Sequence, residues 1–108
     1  MKKGNLLNIV GFENSSAEIF QTLAEGSSVI ERIISNGQTT PEGEWYDQVR
    51  DEWVILLQGN ATLLFEDNSI INLLTGDYIL IKAHQKHRVT FTSNSPPCIW
   101  LAIHGNFS

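Results

Sequence analysis

Cysteine is nearly absent from this chain. Cys98 is the only one, so no intrachain disulfide can form and a disulfide framework is excluded. A lone thiol points to a reducing compartment. Inside the apolar run Cys98-Ile99-Trp100-Leu101-Ala102-Ile103 it reads as a small core residue, not a nucleophile. Basic residues are also scarce, 7 against 12 acidic ones, for a formal net charge of −5. They are scattered, the densest group being Lys82, Lys86 and Arg88, so the cationic stripe that nucleic-acid binding needs is missing. No apolar run approaches the ~18 residues of a membrane span. The opening Met1-Lys2-Lys3-Gly4 has the charge of a signal-peptide start. Asn8 breaks the short apolar stretch Leu6-Leu7 and Ile9-Val10 behind it, and no cleavage site follows, so a cytoplasmic protein is expected. No Ser-His-Asp arrangement, Gly-rich phosphate loop or cysteine metal knuckle is present, which weakens hydrolase, nucleotide-binding and zinc-finger readings.

What remains is a chain of 108 residues, enough for one domain, with 42% apolar residues to build its core. Residues 13–26 predict one helix: Ser15 and Glu18 form a capping-box pattern, Ile19, Phe20, Leu23 and Ala24 share a face, and Gly26 supplies the stop. Short strands follow over 28–35, 44–49, 52–58, 61–66, 69–74, 78–82, 87–92 and 98–104, separated by Gly, Asn, Asp and Pro. Gly59-Asn60 between two apolar runs predicts a two-residue hairpin. Strands recurring about every ten residues, with no helices between them, describe an antiparallel sandwich or barrel.

Several strands are apolar on both faces. In Glu52 to Gln58, Val54 and Leu56 lie on one side, and Trp53, Ile55 and Leu57 on the other. An antiparallel sheet standing alone would keep one face wet. A covering layer is therefore expected, part of it the helix and the rest a second copy in a homodimer.

The polar residues that interrupt this pattern are the candidates for chemistry. Glu52 shares parity with Val54 and Leu56, and His87 with Val89 and Phe91, so both are expected to face inward. A buried carboxylate is costly unless it is paired or bound to a cation. Glu and His together are competent ligands for Zn, Fe, Mn or Ni.

These residues carry a family resemblance. Glu52, six residues and Gly59 match the end of the first cupin motif, G-x5-H-x-H-x3,4-E-x6-G; Gly76 and His87 stand at the spacing of the second, G-x5-P-x-G-x2-H-x3-N. Over residues 37–104 the chain resembles a small single-domain cupin. The resemblance implies an all-β jelly-roll barrel, a double-stranded β-helix, with its core over 37–108 and an N-terminal segment over 1–36. It also implies a divalent metal held by two motif-one histidines, the glutamate and the motif-two histidine. Here neither histidine of motif one exists: the two alignments place Trp45 and Asp47, or Tyr46 and Gln48, at those positions. Lys82 replaces the proline, His84 the glycine and Phe91 the asparagine.

Strand alternation favours Gln48 as a third ligand, because it shares parity with Glu52; the other spacing favours Asp47 and its carboxylate. The expected metal set is thus Glu52, His87 and Gln48 or Asp47, with His84 able to join from its turn. Tyr46, Trp45 and Trp100 are candidates for an aromatic pocket wall, Tyr46 also as an acid or base. His104 shares parity with Trp100 and Ala102 and could line the pocket, yet reads better as an ordinary packed or terminal histidine, and Arg88 as an outward ion-pair partner. The resemblance implies a metal-dependent oxygenase or isomerase acting on a small organic molecule; beside it stand a small-molecule binding or sensing barrel without metal, and a barrel packed solid.

Overall fold

The computed structural model describes all 108 residues. It consists of eight strands: β1 (Ile19–Glu25), β2 (Val29–Ser35), β3 (Asp51–Gln58), β4 (Ala61–Phe65), β5 (Ile70–Leu73), β6 (Tyr78–Ile81), β7 (His87–Thr92) and β8 (Cys98–Gly105). They form two antiparallel sheets, one of five strands in the order β1-β2-β8-β3-β6 and one of three in the order β5-β4-β7. The chain passes between the sheets after β3, β5, β6 and β7, as in a jelly roll.

Gly59-Asn60 makes the first of these passages and is not a hairpin, since β3 and β4 pair with other strands. The corner requires glycine. Gly59 has φ +91°, and an added Cβ would lie 2.6 Å from Ser93 Oγ and 3.0 Å from Cys98 Sγ.

The helix expected over 13–26 does not form: its apolar residues lie in β1. Ser15 does not cap a helix; its Oγ donates to the carbonyl of Ala17 at 2.6 Å. The Glu18 carboxylate accepts from the hydroxyl of Ser35 instead of a free backbone amide. The deciding factor is tertiary. β2 would otherwise expose a free edge, and the segment pairs along it from Ile19↔Ile34 to Glu25↔Val29. The strand expected over 44–49 is also missing; only Tyr46 bridges to His87 there.

Between the sheets lies the main core, including Val54, Leu56, Leu63, Phe65, Trp100 and Ala102. A second cluster on the outer face of the large sheet joins Ile9 to Ile34 and Ile99, with Phe12 packed against it. The covering layer is therefore N-terminal coil. Arg32 pins it, donating to the carbonyls of Asn5, Leu6 and Asn8 and to Gln21. Elsewhere on that face Trp53, Ile55, Leu101 and Ile103 are half-buried, while Tyr78 and Leu80 are exposed. No helix is long and apolar enough to cross a membrane.

Candidate functional site

Alternation along β3 places Glu52, Val54 and Leu56 on the inner face, with Glu52 only 7% exposed. Glu52 stands opposite Ile81 of β6 on one side and His104 of β8 on the other. His87 opens β7, and its backbone exchanges hydrogen bonds with Tyr46, at 2.8 Å from Tyr46 N to His87 O and 3.2 Å in return. Its ring, in a residue 5% exposed, lies between Tyr46 and Phe65 with centroids 5.5 and 5.8 Å away.

His87 Nδ1 lies 3.0 Å from the carbonyl of Gln85. A carbonyl only accepts, so Nδ1 carries the hydrogen and a neutral His87 turns the Nε2 lone pair inward. That nitrogen is 3.9 Å from Glu52 Oε1, beyond hydrogen-bond distance. The parity that places His87 inside fails further along β7. The register against β4 shifts between Thr62 and Leu63, so Phe91 faces out, 50% exposed, and Thr92 is buried.

The segment before β3 separates the two alternatives for a third ligand. Tyr46 and Gln48 line the cavity with Glu52 and His87. Asp47 points the other way and meets His84, with Oδ1 to Nδ1 at 2.7 Å between two exposed side chains. His84 occupies a left-handed turn at φ +62°, its amide donating to the Gln48 carbonyl. Neither Asp47 nor His84 reaches the cavity lining. Trp45 is also outside, 5.8 Å from the guanidinium of Arg88. Arg88 makes no ion pair; it donates to the carbonyls of Thr40 and Pro41.

Three further polar residues line the cavity: Glu18, Glu31 and His104. From sequence Glu31 goes unnoticed and His104 reads as an ordinary packed or terminal histidine; the one signal available is strand parity, with Ile33 and with Trp100. Glu18 was hidden because its capping pattern assigned it elsewhere. His104 Nε2 lies 3.3 Å from Glu31 Oε1. Trp100 Nε1 donates to Ser35 Oγ at 3.1 Å, and Ser35 passes its own hydrogen to Glu18, which fixes that carboxylate against the wall. Ile33, Val54, Leu63 and Ile81 supply an apolar floor to this partly open cavity of about 90 Å³.

Burial raises the Glu52 carboxyl above its ordinary value, and Glu31 pushes it further; His104, His87 and a hydrogen bond from Gln48 pull the other way. Burial and Glu31 likewise raise Glu18, against the Ser35 hydrogen bond. The Tyr46 phenol is raised by burial and then by Glu18, Glu52, Glu31 and Glu44. A raised phenol holds its proton more tightly, which favours the acid role over the base.

The donors fall short of a divalent-metal centre of the kind the family motif implies. No group of three or more His, Cys, Asp or Glu side chains is gathered to hold an ion. Glu52 and His87 are two donors where a catalytic site ordinarily has three, and the Gln48 amide oxygen is a weak third.

A family model described as "Cupin domain" matches residues 32–104. Among curated proteins none matches the chain. A structure from Ralstonia eutropha JMP134, whose name proposes mannose-6-phosphate isomerase activity, is 42% identical over 99% of this chain and 100% of its own, with TM-score 0.91. A cupin superfamily protein from Desulfitobacterium hafniense DCB-2 is 19% identical, with TM-score 0.71 over 87% of this chain and 82% of its own. The FeII form of HppE shares the fold at 14% identity and TM-score 0.67, over 81% of this chain and 49% of its own. Two sheets in jelly-roll order, an inward glutamate and histidine at the motif spacings, and the family match over most of its length make this chain a member of the cupin domain family.

Proposed function

We propose that this cupin binds a small organic molecule in the cavity between its sheets, with Glu52 and His87 as the pair that meets it. One observation carries the reading. Glu52 Oε1 and His87 Nε2 face one cavity 3.9 Å apart, both residues more than nine-tenths buried, with no hydrogen bond between them. Groups that cost free energy to bury and do not satisfy each other are arranged for a third partner. A carboxyl held above its ordinary value beside an imidazole also suits proton transfer, as in an isomerase. The name of the relative from Ralstonia eutropha points to a phosphorylated sugar, but no Lys or Arg lines this cavity to hold a phosphate. The ligand class is therefore a small organic molecule without a phosphate. It is tested by NMR titration with a library of small polar fragments. Hits should shift the Trp100 indole and the Glu52 and His87 amides, and vanish in Glu52→Ala and His87→Ala; hits mapping only elsewhere contradict it.

A second reading is favoured by the orientation of His87. Metal-ligating histidines tie their other nitrogen to a carbonyl or carboxylate, as Nδ1 does here with Gln85. Zn, Mn, Fe or Ni would then rest on Glu52, His87 and the Gln48 oxygen. Elemental analysis of protein purified without tag or chelator decides it. Near-stoichiometric metal lost in both alanine variants supports the ion, and a metal-free protein that takes up none when supplied rejects it. The apolar outer face of Trp53, Ile55, Leu80 and Leu101 supports a homodimer, which light scattering on the eluting protein would show as twice the chain mass.

A further inference from the structure

The cavity has a chemical sign. Three carboxylates line it, Glu18, Glu31 and Glu52, together with two imidazoles and no Lys or Arg. The acids come from different elements: Glu52 from β3, Glu31 from β2, and Glu18 from the residue before β1. Glu31 stands opposite Ala102 and Glu52 opposite His104, so the two flank β8 from either side. Most nearby donors are already committed. Trp100 Nε1 serves Ser35, His87 Nδ1 serves Gln85, and His104 Nε2 faces Glu31. Acceptors remain free: His87 Nε2 has no hydrogen-bond partner although its residue is 5% exposed, and Glu52 stands 3.9 Å away. A ligand must therefore bring donors.

Resting on the reading of this cavity as the ligand site, we propose that its ligand is a small organic cation, a primary ammonium on a short apolar body. An ammonium carries three donors and no acceptor, which matches the open positions at Glu52, Glu31 and His87 Nε2. Its charge offsets the repulsion among the carboxylates. Ile33, Val54, Leu63 and Ile81 accept the hydrocarbon, and Tyr46 and Trp100 add aromatic wall to the same space. A carboxylate or phosphate would meet acceptors and like charge in the same space.

The test compares probes of one body and three charges: isobutylamine, isobutanol and isobutyrate, titrated at pH 7 with and without EDTA and followed at the Trp100 indole and the Glu52 and His87 amides. The amine should saturate these signals with a Kd roughly tenfold or more below that of the alcohol, isobutyrate should not saturate them, and EDTA should change nothing. Glu31→Gln and Glu52→Gln, checked for an unchanged fold by their amide spectra, should each narrow the gap between amine and alcohol. Alcohol or isobutyrate binding in the cavity as tightly as the amine overturns the cationic class and leaves the ligand site standing. An amine preference that EDTA abolishes overturns direct recognition by these carboxylates. Failure of all three probes to shift the cavity signals, or shifts only elsewhere, overturns the proposal; fragment hits in the cavity would then show that the site itself survives.

Discussion

Asp51 and Glu52 are adjacent acids at the start of one strand, and the fold treats them oppositely. Asp51 faces the end of the sheet, and its oxygens are fully engaged. Oδ1 accepts from Ala83 N at 2.8 Å; Oδ2 accepts from Phe107 N at 2.9 Å and Lys82 Nζ at 3.1 Å. Those bonds, the Phe107 amide foremost, hold its carboxyl down to about 2. Glu52, one residue on, faces the cavity, where burial dominates and raises its carboxyl. Backbone alternation alone separates the two environments. A carboxylate whose neighbours satisfy it ties the C-terminal residues to the β6–β7 turn. One left with open positions serves something that comes from outside.

Substitution should expose the contrast. The largest effect is expected for Asp51→Ala, which frees Lys82, Ala83 and Phe107 together and should lower the melting temperature by roughly 15 °C. His87→Ala should follow at roughly 10 °C, because it empties the space between the Tyr46 and Phe65 rings. Glu52→Gln should go the other way, raising the melting temperature by roughly 4 °C at pH 7 while weakening the binding of a cationic ligand. Lys82→Met should cost roughly 3 °C or less, since its ammonium is half-exposed and only one of three donors to Asp51. Calorimetry on the four variants orders them.

The signs in pH differ too. Asp51 is lowered on folding, so its contribution is present above its ordinary value of 3.8 and is lost as pH falls through about 2. Glu52 is raised on folding, so the folded state is favoured by its proton below the ordinary 4.5 and loses that advantage as pH rises through the folded value. The stabilisation from Glu52→Gln should therefore shrink toward zero as pH is lowered below 4.5; a constant gain across pH 3 to 8 would count against a raised carboxyl.

The inner positions of β3 and of the start of β7 were legible because alternation has a fixed period, and the motif spacings marked Glu52 and His87 independently. The same period runs through Glu31 and His104, but both faces of β2 carry apolar residues and neither residue stands in a motif, so nothing singled them out. Other features depended on partners far away in sequence. Ile19, Phe20, Leu23 and Ala24 fit a helical stripe as well as a strand, and the open edge of β2 decided between them. A register shift opposite Thr62 turned Phe91 outward, which no alternation along β7 alone predicts. Gln48 over Asp47 was a choice between two spacings, and the His87–Tyr46 bridge settled which side of that segment faces in.

The most direct test is a carbon-13 NMR titration of the side-chain carboxyls of Asp51 and Glu52 in the wild-type protein from pH 2 to pH 8. The expected result is a Glu52 midpoint above 4.5 and an Asp51 midpoint near 2, two neighbours moved in opposite directions. Both midpoints in the ordinary carboxylate range, or a Glu52 midpoint below 4.5, would show that Glu52 is already satisfied within the fold and contradict its role in a ligand site.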